Sequence, residues 1–353
     1  MSKFFSKKFS SLSPYVPGEQ PKMRKFIKLN TNESPFTPSK SAKKLAKEAI
    51  KNLQLYSDPE CKMLVKEYAK QYNQSEDKIL FSNGSDEILN FAFMAYCDKD
   101  TPAIFPDITY GFYPVFATLN GVEYKEIPLK EDFSIDITDY YNANGTIFIA
   151  NPNAPTGMSL ELVDIEQILI HNPSNMVIID EAYVDFGGES AVKLTDKYDN
   201  LLVVQTFSKS RSMAGARLGS GVANKSVIED LNTIKYSTNP YNVNATTQAL
   251  GIGALKDRKY FTTNCNKIIS NREYVEKELK ELGFSLTKSK ANFVFVCHDK
   301  IGGKELTEKL REKGILVRWF NKPKIKNYLR ITIGNINEMK ALIKAVKEIL
   351  EEI

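Results

Sequence analysis

Histidine is nearly missing from this chain of 353 residues, which has only His171 and His298. A serine-hydrolase triad or a histidine-ligated metal centre would need more, or in better places. His171 precedes Asn172-Pro173 at an expected helix end, and His298 follows a strand-like run, so both read as loop residues. Cysteine is also scarce. Cys61, Cys97, Cys265 and Cys297 lie far apart, which rules out zinc-type spacing and suggests free thiols in a reducing compartment. No metal is expected. No apolar run approaches the roughly 18 residues of a bilayer span. The basic start has no apolar stretch behind it and does not read as a secretory signal. A cytoplasmic location without a membrane partner is therefore expected. The net charge of +5 comes from 48 basic and 43 acidic residues. The lysines are dispersed rather than gathered in a stripe, which argues against a nucleic-acid partner.

What is present suits a folded enzyme. The chain is 42% hydrophobic and 26% charged, ordinary for a globular protein and long enough for a large domain and a smaller one. Ala42, Leu45, Ala46, Ala49, Ile50 and Leu53 recur at helical spacing over 41–53, and helices are also expected over 86–96 and 160–170. Between them lie strand-type runs at 78–82, 101–105, 146–150, 176–180 and 201–206. Alternation of this kind predicts an α/β fold with a mainly parallel sheet between helices. The last hundred residues read as a separate α+β unit. It has a charged helix over 264–282, a strand at 292–296, a helix at 303–313, strands at 315–320 and 328–333, and a final helix from 337. The expected division is an N-terminal arm and part of the small domain over 1–40, a large domain over 41–250 and a small domain over 251–353, with the join near 245–260.

Three motifs fall at strand ends, where open α/β sheets place ligands. Asp180-Glu181-Ala182-Tyr183 follows the apolar run Met176-Val-Ile-Ile179. A carboxylate there is costly unless a cation pairs with it, and a protonated pyridine nitrogen would serve. The plainer reading is a turn or cap acid. Thr206-Phe207-Ser208-Lys209 follows another buried run, with Arg217 eight residues on between glycines. Such a lysine can be a nucleophile toward carbonyls, and the arginine can grip phosphate; it can also be a surface lysine in a turn. Ser82-Asn83-Gly84-Ser85-Asp86-Glu87 leads from a strand into a helix, so it forms either an anion site or a simple cap. Taken together, a phosphate cradle, a ring-nitrogen partner and an amine nucleophile describe a pocket for pyridoxal 5'-phosphate.

The motif order resembles fold-type-I aminotransferases: Gly84-Ser85-Asp86-Glu87, Thr109-Tyr110-Gly111, Asn151-Pro-Asn-Ala-Pro-Thr-Gly157, Asp180-Glu-Ala-Tyr183, Ser208-Lys209 and Arg217. Tyr15-Val-Pro-Gly18, Leu29-Asn-Thr-Asn-Glu33, Tyr56-Ser-Asp-Pro59, Asn239-Pro-Tyr-Asn242 and Arg330-Ile-Thr-Ile-Gly334 narrow it to the histidinol-phosphate aminotransferase family. The resemblance implies a seven-stranded large-domain sheet and a homodimer. It implies that Lys209 holds the cofactor as a Schiff base and shuttles the Cα proton, that Asp180 pairs with the ring nitrogen, and that Tyr183 bonds the phenolic oxygen. Tyr110 would stack on the ring. Backbone at Ser85 and Asp86, with Thr206, Ser208 and Arg217, would hold the phosphate, joined by Tyr56 from a neighbouring subunit. Arg330 and Arg318 would bind the substrate's anionic groups, with Tyr15 closing over it and Asn32 also on the substrate side. Two positions depart from the pattern. Ala154 stands where the family commonly has an asparagine donor to the phenolic oxygen, leaving Tyr183 alone or Asn153 as substitute. Ser57 replaces a proline after Tyr56.

The implied activity is amino transfer between glutamate and a small phosphorylated substrate, histidinol phosphate being the family default. Transamination of another phosphorylated ketone, of dihydroxyacetone phosphate type, and decarboxylation of a phosphorylated amino acid use the same pocket. A non-catalytic binding protein would not need Lys209 and Asp180 together.

Overall fold

A computed structural model describes residues 2–10, 12–21 and 26–353. Residues 1, 11 and 22–25, within the expected N-terminal arm, lie outside the described residues. The centre is a seven-stranded sheet in the order Ile79–Ser82, Gly219–Ala223, Leu201–Thr206, Val177–Asp180, Thr146–Ala150, Ala103–Pro106, Tyr124–Ile127. The Gly219–Ala223 strand runs antiparallel to both neighbours, and the other pairings are parallel. The central strands are buried along their whole length, which is why the sequence shows continuous apolar runs there. Helices Ser85–Tyr96 and Tyr113–Asn120 pack on one face of the sheet, and Lys62–Tyr72 and Leu162–Ile170 on the other.

Two strands of this sheet escape an apolar-run reading. Tyr124–Ile127 is an edge strand with Tyr124, Lys125 and Glu126 exposed, so it lacks the pattern of a buried strand. Gly219–Ala223 reads Gly-Ser-Gly-Val-Ala, and small residues are needed there. A Cβ on Gly219 would lie 2.3 Å from the Ser85 backbone nitrogen.

The C-terminal part has its own core. A four-stranded antiparallel sheet, in the order Arg318–Trp319, Leu329–Thr332, Phe293–Cys297, Ser285–Leu286, packs with helices Arg258–Glu281, Gly303–Glu312 and Ile336–Glu351. The stretch expected as one strand over 315–320 is two. Ile315–Leu316 pairs in parallel with Ile27–Lys28, and Arg318–Trp319 turns to pair with Leu329 and Arg330. The long helix begins at Arg258, earlier than its charged pattern suggested, because Asp257 caps it by accepting from the Tyr260 N–H at 3.3 Å. Among the described residues no helix is long and apolar enough to cross a membrane.

Candidate active site

The parallel strands deliver their C-terminal ends to one cleft. Lys209, Asp180, Tyr183, Ser85, Asp86, Thr206, Ser208, Arg217, Tyr110, Tyr15, Asn32, Arg318 and Arg330 all line it. The cleft adjoins an outer cavity of about 510 Å³, shared by Tyr15, Tyr110, Arg318 and Arg330.

Asp180 ends the Val177–Asp180 strand and is only 4% exposed. Burial, reinforced by the negative charge of Asp86, pushes its carboxyl up to about 7. Opposing this, Oδ2 accepts from the Tyr113 hydroxyl at 3.2 Å and Oδ1 from the Ala182 N–H at 3.2 Å. An aspartic acid held this way gains from a cation that can share its site. Lys209 shows the complementary effect. Burial, and then the positive charge of Arg330, lower its ammonium to about 8, against the pull of Asp86 and Glu33. Its Nζ donates to the Thr31 carbonyl at 3.4 Å and lies 5.8 Å from the Tyr183 ring centre. The amine is thus within reach of its neutral, nucleophilic form near neutrality.

The anion cradle is assembled from three segments. Gly84 precedes helix Ser85–Tyr96 with φ of 85°, and no side chain caps that helix start. Arg217 crosses Gly84 so closely that a Cβ there would lie 2.5 Å from its Nη2. Asp86 ties the cradle to the aromatic wall: Oδ2 accepts from Arg217 at 2.9 Å and Oδ1 from the Tyr110 hydroxyl at 2.7 Å. The Thr206 hydroxyl donates to Ser208 Oγ at 3.0 Å. Backbone N–H groups at a helix start, two hydroxyls and a guanidinium together suit a phosphate.

The comparisons with known proteins fall on the same side. The model of aminotransferase class I and II matches residues 24–346. A histidinol-phosphate aminotransferase of Brachyspira hyodysenteriae is 51% identical over 353 residues, covering 99% of this chain and all of that protein. Another from Clostridium botulinum is 47% identical, with all of both chains covered. The chain belongs to the class I and II aminotransferases, within the histidinol-phosphate aminotransferase family. Its fold matches the histidinol-phosphate aminotransferase of Sinorhizobium meliloti, solved with pyridoxal-5'-phosphate, at a TM-score of 0.90. The two are 21% identical, and the match covers all of this chain and 99% of that one.

Within this aminotransferase, not every expected site residue reaches the cleft. Asn153 does not line it. Its amide donates to the Ile108 carbonyl at 2.9 Å and Thr156 Oγ1 at 3.0 Å, while Oδ1 accepts from Thr109 at 2.7 Å. It stitches its own loop together, and Ala154 faces the cleft instead. Tyr56 is also apart. It is 84% exposed and stacks on Tyr241 at 4.5 Å between ring centres. Both histidines sit away from the chemistry, His171 stacked on Tyr141 and His298 beside Phe284. Tyr15 stacks on Phe112 at 4.2 Å and covers the cleft from the arm.

Three participants went unread in the sequence. Tyr113 bonds Asp180, and its only signal was its place three residues after Tyr110. Thr31 and Thr332 stand inside the Leu29–Glu33 and Arg330–Gly334 motifs, but they enter through a backbone carbonyl and a hydroxyl, roles that those motifs did not assign.

Proposed function

We propose that this protein is a pyridoxal-phosphate-dependent aminotransferase that exchanges an amino group between glutamate and a small phosphorylated substrate, histidinol phosphate first among the candidates. The observation that carries this reading is one cleft holding Lys209, with its ammonium lowered by burial, a buried Asp180 carboxyl and an anion cradle.

The residues fit the cofactor. Side chains larger than glycine at 84 and 219 would fill the cradle. Among the described residues Asp180 forms no ion pair, although the Lys209 charge favours its ionised form from a distance, and a protonated ring nitrogen would let it ionise. When bound, pyridoxal phosphate supplies a cationic ring that accepts the electron pair left as a Cα bond breaks. Around it, Lys209 would hold the cofactor and carry the proton taken from Cα, acting as base and then acid. Asp180, steadied by Tyr113, would hold a proton on the ring nitrogen. Tyr110 would cover the ring face, Tyr183 would donate to the phenolic oxygen, and the backbone at Ser85 and Asp86, with Thr206, Ser208 and Arg217, would secure the phosphate. Arg318 and Arg330 would bind the substrate's anionic groups, with Tyr15 excluding water.

The same reading divides the chain into an arm to residue 40, a large unit and a small unit. Helix Ala245–Lys256 belongs to the core of the large sheet, so we draw the join at Asp257 rather than 250. A homodimer in which Tyr56 completes a neighbour's phosphate site belongs to this proposal too. The free thiols suit a reducing, cytoplasmic compartment.

The deciding experiment is a half-reaction screen. Purified holoenzyme is mixed with glutamate, histidinol phosphate and other phosphorylated amines, and the visible absorbance of the cofactor is followed. Glutamate and histidinol phosphate are expected to bleach it. Release of carbon dioxide from a phosphorylated amino acid without a keto acceptor would instead establish a decarboxylase.

A further inference from the structure

Three consecutive residues each touch a different member of the site. The Asn30 carbonyl accepts from Arg330 Nη2 at 3.1 Å, and the Thr31 carbonyl from Lys209 Nζ at 3.4 Å. The Asn32 side-chain amide donates to the Tyr183 hydroxyl oxygen at 3.0 Å. Only Asn32 acts through its side chain.

Asn32 is 1% exposed and has φ of 55°, in the left-handed region that asparagine tolerates better than most residues. Its orientation is fixed from several sides. Oδ1 accepts from the Thr332 hydroxyl at 3.0 Å, and its backbone N–H donates to Thr332 Oγ1 at 2.9 Å. Its carbonyl accepts from Asn292 Nδ2 at 3.0 Å. Because the amide oxygen is committed to Thr332, the amide nitrogen must face Tyr183.

That choice sets the direction of the next proton. The Tyr183 oxygen is used as an acceptor, and among the described residues its O–H donates to no protein group. The ring is held edge-on by Phe293 at 5.1 Å between centres. Burial keeps the phenol above its ordinary range, so the hydroxyl retains its proton. The cleft wall at Ala154 offers only a methyl group.

We propose that Asn32 is a positioning residue: anchored by Thr332, it directs the Tyr183 hydroxyl proton into the cleft and strengthens it as a donor to the phenolic oxygen of the bound cofactor. Serial hydrogen bonds polarise one another, so Thr332, Asn32 and Tyr183 form a relay. Asn32 therefore supports the cofactor end of the site rather than contacting substrate. The inference rests on the pyridoxal-phosphate reading above.

The test is a pH titration of the visible absorbance of the bound cofactor. With a weaker donor, more charge stays on the phenolic oxygen and the neighbouring proton is held more tightly. Asn32→Gly keeps the left-handed backbone and removes the amide. Its midpoint is expected to rise by about 0.5–1 pH unit, the worth of a neutral hydrogen bond. Thr332→Val, which frees the amide without touching residue 32, should move it the same way by less. In a Tyr183→Phe background, Asn32→Gly should add nothing. An unmoved midpoint in both single variants, with cofactor bound, overturns the inference and leaves the aminotransferase reading standing. So does an equal Asn32→Gly shift with Tyr183 absent. Wild-type protein that takes up no cofactor overturns both.

Discussion

Arg318 and Arg330 stand directly opposite each other across two antiparallel strands and line the same cleft. Like charges in that relation destabilise a sheet, and burial first, with the charge of Arg318 adding to it, lowers the affinity of Arg330 for its proton. Phe293 and Phe320 flank the Arg330 guanidinium at 5.4 and 5.5 Å, and among the described residues its Nε has no hydrogen-bond partner. Such a pair gains when an anion lies between the two. Arg330→Ala is expected to weaken binding of a phosphorylated amine by about 2–5 kcal/mol, the cost of losing a desolvated charge contact. Arg318, more open and already donating to the Val16 carbonyl at 3.1 Å, should cost less. Half-reaction titrations of each variant give the numbers. An Arg330→Ala enzyme with wild-type affinity would take this residue out of the substrate site.

Asp180 makes a prediction about the protein without cofactor. Its folded carboxyl titrates near 7 against an ordinary value of 3.8, with burial as the main cause. Between those values the folded state holds a proton that the unfolded state has released, so this residue's contribution to stability falls as pH rises through that window. Below it, both states are protonated and the effect vanishes. Asp180→Asn, which stays neutral and can still accept from Tyr113, should stabilise the apoprotein at pH 8 by on the order of 2–4 kcal/mol and hardly at all near pH 4. The same variant should bind pyridoxal phosphate poorly, because the ring nitrogen loses its anionic partner. Denaturant unfolding at the two pH values checks the first expectation. A gain that does not depend on pH would mean the carboxyl is not strained.

How far this site could be read from the sequence depended on what kind of group each residue contributes. Lys209, Asp180 and Arg217 were legible because a charge at the end of an apolar run is expensive and demands a reason. The central strands were legible for the same reason in reverse. Asn153 was misleading. It sits beside the position where a donor was needed, yet its amide turns to Ile108 and Thr156, and nothing in the order of residues shows which way a loop side chain points. Asn32 lines the cleft with Arg318 and Arg330, and its hydrogen-bond partners lie 151 and 300 positions along the chain at Tyr183 and Thr332. Contacts that distant leave no local pattern. The edge strand Tyr124–Ile127 and the glycine-rich Gly219–Ala223 strand were missed because neither carries the hydrophobic period that marks a buried strand.

Tyr56 and Tyr241 stack on each other at an exposed surface, with Leu53 and Leu55 also open nearby in the chain. A tyrosine 84% exposed does little for its own subunit. In the proposed dimer its hydroxyl would reach the neighbour's cofactor phosphate. Tyr56→Phe should therefore raise the dissociation constant for pyridoxal phosphate roughly 10-fold, one hydrogen bond to a charged group, without changing the oligomeric state. Sedimentation and cofactor titration on the same sample separate the two effects. Unchanged cofactor affinity in a variant that remains dimeric would leave Tyr56 as a surface residue.

Lys209 provides the test on which the chemistry stands. Lys209→Ala should abolish turnover, and borohydride should fix cofactor to the wild-type side chain alone. The pH dependence of cofactor capture is more discriminating. The neutral amine is the nucleophile, and burial with the Arg330 charge brings its ammonium down to about 8. Capture by apoprotein should accelerate with pH and level off above that value, where an ordinary lysine would still be gaining speed past pH 10. Burial, Arg330 and Arg217 all lower this value, so in Arg330→Ala the curve should move to higher pH while its plateau is retained. Stopped-flow absorbance across pH 6–10 measures both. If the Arg330 variant kept the wild-type midpoint, the amine would owe its low value to burial and Arg217, and the proposed coupling between Arg330 and Lys209 would be lost.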